Sequence, residues 1–127
     1  MRNNCRCRVK IIFYSCVILQ QYDNRLIYIA MNKMKISTAQ FESKSGDKSY
    51  NLSIIKRLAQ QAANEGADVI AFHECSITGY TFARNLSKVQ MLDLAEFIPY
   101  GESISKLTQI AKQNDIVILA GLFEKDQ

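Results

Sequence analysis

Three side chains with chemistry to offer stand in a row in this 127-residue chain. They are His73, Glu74 and Cys75, inside the stretch GADVIAFHECSITGY at residues 66–80. A short apolar run, residues 69–72, leads into them without a break, and Ser76, Thr78 and Gly79 supply turn chemistry directly after. A carboxylate at the carboxyl end of a buried strand lies where ligands bind in an open α/β sheet. Taking it out of water is costly unless it is paired or used. Spacing alone leaves two readings of Glu74 open, a working group in a crevice and a strand-end acid turned to solvent, because such acids mark sites only statistically.

The neighbours add less. Successive side chains on a strand point to opposite faces, so a strand running through this trio turns Glu74 away from His73 and Cys75, and no Cys/His/acid triad forms. His73 and Cys75 then share a face, but two ligands do not make a metal site. His73, the single histidine, reads as a structural hydrogen-bonding residue, and Cys75 as a small buried apolar residue rather than a nucleophile. Cys5-x-Cys7 lacks the spaced second pair of a structural zinc site. The chain shows no G-x-G-x-x-G after its first strand, no G-x-x-x-x-G-K-[ST] and no G-x-S-x-G elbow. Neither metal nor cofactor is expected, and Glu74 is left as the one credible catalytic group.

The elements that must position Glu74 follow from periodicity. Residues 35–41 (KISTAQF) are rich in strand formers and predict the first strand. Asp47 is placed to cap a helix over 48–65, with Leu52, Ile55, Ala59, Ala62 and Ala63 on one face and Ile54 and Leu58 flanking it. Gly66 falls where a left-handed residue closes a helix. Residues 67–73 are apolar on both faces and predict an interior strand covered on both sides. Beyond Tyr80, Ser87 caps a short helix reaching about Phe97, with Val89, Leu92 and Ala95 inward, until Pro99 and Gly101 break it. Ser103 caps a further helix ending near Asn114, whose apolar face is Ile104, Leu107, Ile110 and Ala111. Residues 116–122 (IVILAGL) predict a third strand, and 123–126 a turn. Strand, helix, strand, two helices, strand implies an α/β fold with a largely parallel sheet and right-handed crossovers.

Composition narrows the function classes. A hydrophobic content of 48% is enough for a packed core, and the length allows one domain or part of one. The net charge of +4 does not point to nucleic acid, because its basic excess sits in the leader. Residues 1–34 hold six Lys/Arg against one acid, whereas residues 35–127 hold ten basic and eleven acidic side chains. A nucleic-acid-binding domain carries its basic footprint on the folded part. Residues 1–33 read as a leader: a gene-model extension before a start at Met31 or Met34, a targeting segment, or a disordered tail. Their apolar stretch at 9–19 is too short for the ~20 residues of a membrane helix, and no small-x-small cleavage site follows it. One cysteine outside the leader and no disulfide framework suit a reducing cytoplasm.

Taken together, ISTAQF at 36–41, Asn51, residues 66–80, the Pro99-x-Gly101 break and IVILAGLFEKD at 116–126 resemble the amino-terminal part of the nitrilase, or carbon–nitrogen hydrolase, superfamily. The resemblance implies an α/β/β/α sandwich that hydrolyses non-peptide C–N bonds of amides, carbamoyl compounds or nitriles with a Glu, a Lys and a Cys and no cofactor. Glu74 matches the family's general base. The Lys and Cys of that set are expected beyond Gln127, so residues 35–127 read as a truncated domain, inactive alone, whose full-length form is expected to be a homo-oligomer. His73 stands where the family usually has Pro. The rival readings are a small flavodoxin-like binding or signalling module and the non-catalytic product of a fragmentary gene.

Overall fold

The computed structural model describes residues 34–125, so every reading of the leader lies outside the described residues. The elements in order are β1 (Ile36–Ala39), α1 (Lys48–Asn64), β2 (Val69–Phe72), a 3₁₀ turn (Thr81–Asn85), α2 (Lys88–Leu94), α3 (Glu102–Asn114) and β3 (Val117–Leu119). The strands form one parallel sheet in the order β1-β2-β3, with Ile36, Val69 and Val117 in register, so β2 is central. All three strands leave the sheet on the same side, and their carboxyl ends define one crevice. The α/β class and the parallel sheet are as the residue order requires.

α1 begins as its sequence dictates. The Asp47 side chain accepts from Tyr50 N, and Gly66, just past the helix end, has φ +78°. Leu52, Ile55, Ala59 and Ala62 are buried, and they pack with Ile104, Leu107 and Ile110 of α3 over Ile70 and Ile118 of the sheet. Helices α1 and α3 thus lie side by side on one sheet face. The other face carries Val69, Ala71, Val117 and Leu119, all half-buried, with Ile36 61% exposed. Among the described residues no helix covers that face, which differs from the two-sided cover expected of β2.

The three strands are shorter than the apolar runs that mark them, because pairing stops where the chain turns away at each end. Larger differences lie between β2 and β3. The 3₁₀ turn gives no periodic signal and is not anticipated. α2 starts at Ser87 with a full capping box to Gln90, but it ends at Leu94 rather than near Phe97. Residue 96 is instead drawn into a parallel bridge with Glu124. The inward face is also different: Val89 is 67% and Leu92 48% exposed, while Met91 and Leu94 pack on Cys75, Ala95 and Phe123. Apolar residues lie on both sides of this two-turn helix, so periodicity alone does not choose between them. The N-cap of α3 is Gly101, not Ser103, and it makes no side-chain cap. Ser103 is buried inside the first turn, its hydroxyl donating to Glu96.

Candidate functional site

The chain leaves β2 at Phe72 and at once makes a tight turn over 74–78, so strand alternation stops one residue earlier than the sequence suggests. Cys75 adopts φ +50°, a left-handed conformation that costs a residue with a Cβ about 1–2 kcal/mol. The turn closes through Thr78 N and Gly79 N, which both donate to Cys75 O at 3.1 and 2.7 Å. Strain of this kind survives only where surrounding contacts over-determine it, and it gathers at functional sites.

Those contacts come from two sides. From the β1–α1 loop, Gly46 N donates to Thr78 O at 2.9 Å. The fully buried Asn51 donates from Nδ2 to Ile77 O at 2.9 Å and to Lys44 O at 2.8 Å, while its Oδ1 accepts from Lys44 N at 2.8 Å. From the segment after β3, Gly121 O accepts from Ile77 N at 3.1 Å. Gly121 presses directly on the turn: a Cβ there would lie 2.7 Å from Cys75 N and 3.4 Å from its Cα. Both neighbours are backbone and neither yields cheaply. Gly121→Ala is therefore expected to lower stability by about 1–3 kcal/mol through overpacking, read as a fall in the urea midpoint at unchanged m-value. A midpoint equal to that of the parent would show that the approach is looser than the structure has it.

Glu74 lies in this turn with its side chain exposed, and Cys75 beside it is fully buried with Ala95 and Phe123. The two side chains part company as expected, although the turn rather than strand alternation separates them. Cys75 is the small core residue its neighbours suggest. The hydrogen bond expected of His73 is not made at Nδ1, which is buried and without a partner among the described residues. Its ring is held by packing instead, edge-on to Phe41 with centroids 4.9 Å apart, since β1 and β2 leave the sheet side by side. Ser76 Oγ and Thr78 Oγ1 are likewise buried without a partner among the described residues. The described residues contain no group of three or more His, Cys, Asp or Glu able to hold a metal ion.

A second carboxylate escapes periodicity altogether. Glu96 is buried, ion-paired to Lys48 Nζ at 2.6 Å, and accepts from Ser103 N at 2.8 Å and Ser103 Oγ at 2.7 Å. Burial pushes its pKa up, but the Lys48 and Ser103 hydrogen bonds and the Lys48 charge together hold it below the ordinary glutamate value. In sequence it reads as one more acid near the end of an amphipathic helix. Only the Pro99-x-Gly101 break just after it hints that the chain must fold back there. A groove of about 250 Å³ between α1 and α3, flanked by Lys56 and Lys106, contains neither acid. No helix among the described residues is long and apolar enough to cross a membrane.

The chain has counterparts among known proteins. A family profile described as carbon-nitrogen hydrolase matches residues 35–127. The chain belongs to that family. It is 28% identical over 93 residues to a nitrilase of Pyrococcus abyssi, covering 73% of this chain and 34% of that protein. It is 36% identical over 91 residues to an omega-amidase of Xenopus laevis, covering 72% and 30%. Among solved structures, an amidase from Nesterenkonia sp. superposes with a TM-score of 0.53 at 24% identity, covering 70% of this chain and 32% of that one. That likeness concerns the fold. The chain spans about a third of the length of the curated relatives it matches. Family membership sets aside the flavodoxin-like module as a reading of the chain.

Proposed function

We propose that residues 35–127 form the amino-terminal part of an enzyme that hydrolyses a non-peptide C–N bond of a small amide, carbamoyl compound or nitrile. In this reading Glu74 is the general base, and the Lys and Cys that complete the set lie beyond Gln127. The observation that carries it is the turn itself: a carboxylate at the carboxyl end of the central strand of a parallel sheet, on a strained backbone clamped from both sides. A base there takes the proton of a thiol, leaving the thiolate that attacks the substrate carbon, and later takes a proton from water. Support comes also from the amidase of Nesterenkonia sp., whose glutamate-to-glutamine variant is described with acrylamide added to its active-site cysteine. The omega-amidases among the relatives make a small amide the first substrate to test. A soluble, cytoplasmic homo-oligomer of the whole protein completes the proposal.

The test is ammonia release. The protein joined to the downstream part of its own reading frame is expected to release ammonia from at least one member of a panel of small carboxamides and nitriles, and residues 1–127 alone from none. Activity of residues 1–127 alone would overturn the division of the catalytic set.

A further inference from the structure

We propose that the Lys48–Glu96 ion pair is a positioning device for the turn that carries Glu74, acting on it through Ala95, Phe123 and Cys75. The role assigned to the turn rests on the functional reading above, whereas the mechanical coupling stands on contacts alone.

The coupling starts at the Glu96 carboxylate, which joins three parts of the chain. Lys48, in the first turn of α1, donates to Glu96 Oε1 and also to Leu94 O at 3.1 Å. Ser103, in the first turn of α3, donates both its backbone and its hydroxyl hydrogen. Gly101 caps α3 without a side chain, so the Glu96 carboxylate stands in as the acceptor at that helix start, where negative charge is favoured. Nothing larger than Gly fits at position 101, because a Cβ there would collide with Glu96 Oε2 and lie 2.8 Å from its Cβ.

From this anchor the backbone runs straight to the turn. Glu96 N donates to Phe123 O and Lys125 N donates to Glu96 O, each at 2.9 Å, so residue 96 is stitched to 123–125 in parallel. Ala95 and Phe123, one on each strand of this pairing, are the buried partners of Cys75. Two residues before Phe123, Gly121 bonds Ile77 N and bears on the Cys75 backbone. The charge pair therefore fixes the plate on which the left-handed Cys75 rests. Cys75 is bonded directly to Glu74, so releasing the plate lets the Cys75 dihedral relax toward unstrained values and swings the carboxylate away. A pair serving only overall stability has no reason to be wired to the one strained residue next to the base.

Cys75 is its own reporter, since a fully buried thiol is modified only when the plate opens. Iodoacetamide modification of native protein, followed peptide by peptide by mass spectrometry, separates Cys75 from Cys5, Cys7 and Cys16. Glu96→Gln is expected to speed Cys75 modification by about tenfold or more, the factor that matches loss of one charge-assisted hydrogen bond. Leu107→Val, chosen to lower the melting temperature through the α1/α3 core, supplies the control for general loosening. Ser103→Ala removes one bond to Glu96 and keeps the ion pair, and is expected to fall between parent and Glu96→Gln; it stands in if Glu96→Gln does not fold. The proposal is overturned if Cys75 in these variants is modified no faster than in controls of equal melting temperature. The readout needs no turnover: the coupling stands or falls on Cys75 modification, whereas the functional reading stands or falls on ammonia release by the protein joined to the downstream part of its reading frame.

Discussion

If the proposed function holds, Glu74→Gln, made in the protein joined to the downstream part of its reading frame, is expected to lose about 10²–10⁴-fold in turnover, the usual cost of removing a general base. Gln keeps the volume and the hydrogen-bonding capacity of Glu but does not accept the thiol proton. The fold is expected to be indifferent, because the Glu74 side chain is exposed and makes no hydrogen bond or ion pair among the described residues. Melting temperature and turnover should therefore separate cleanly. His73→Ala gives the contrast: its ring packs on Phe41 and its Nδ1 has no partner among the described residues, so the change should cost far less rate than Glu74→Gln. Equal turnover by Glu74→Gln and the parent would remove Glu74 from the chemistry.

The largest loss of stability is expected at Asn51. Its amide makes three hydrogen bonds that join α1 to both the β1–α1 loop and the turn, and it is fully buried. Asn51→Ala leaves Ile77 O without that donor in the interior and both Lys44 backbone groups without their partner. An orphaned buried group costs about 1–3 kcal/mol, so a total near 3 kcal/mol is expected, seen as a lower urea midpoint. Asn51→Asp is a sharper probe, since it keeps an acceptor for Lys44 N but sets a carboxylate against two carbonyl oxygens. It should be at least as damaging as Ala above the carboxylate's pKa. A loss below about 0.5 kcal/mol, the range of ordinary surface changes, would mean that the turn does not depend on this amide.

The parts of the chain that were legible are those in which local preference and packing agree. Asp47, the Leu52/Ile55/Ala59/Ala62 face and Gly66 each specify α1 independently, and the structure uses all of them. The apolar runs at 69–72 and 117–119 form strands for the same reason. Legibility fails where one segment answers to a distant one. Residues 94–98 look helical, but pairing with 123–125 overrides their periodicity and turns α2 onto its Met91/Leu94 face. Glu96 was illegible for a related reason. Its partners Lys48 and Ser103 stand 48 and 7 positions away, and no spacing rule joins them. At Glu74 the residue type and the strand before it were readable, as was its place at the sheet's carboxyl end. The left-handed Cys75 was not, since nothing in a Cys side chain announces a positive φ.

The way the 74–79 turn is held bears on how such a site diverges. Its shape is set chiefly by main-chain donors and acceptors, Gly46 N, Ile77 N, Thr78 O and Gly121 O, and by one amide borrowed from α1. Within the turn, the side chains facing solvent take little part in that specification. The geometry is thus inherited from the scaffold and the chemistry from whichever residue occupies the outward position. Substitutions that retune reactivity there need not pass through a misfolded ancestor, while changes at Asn51 or Gly121, which hold the turn from behind, close off the whole neighbourhood of sequences at once.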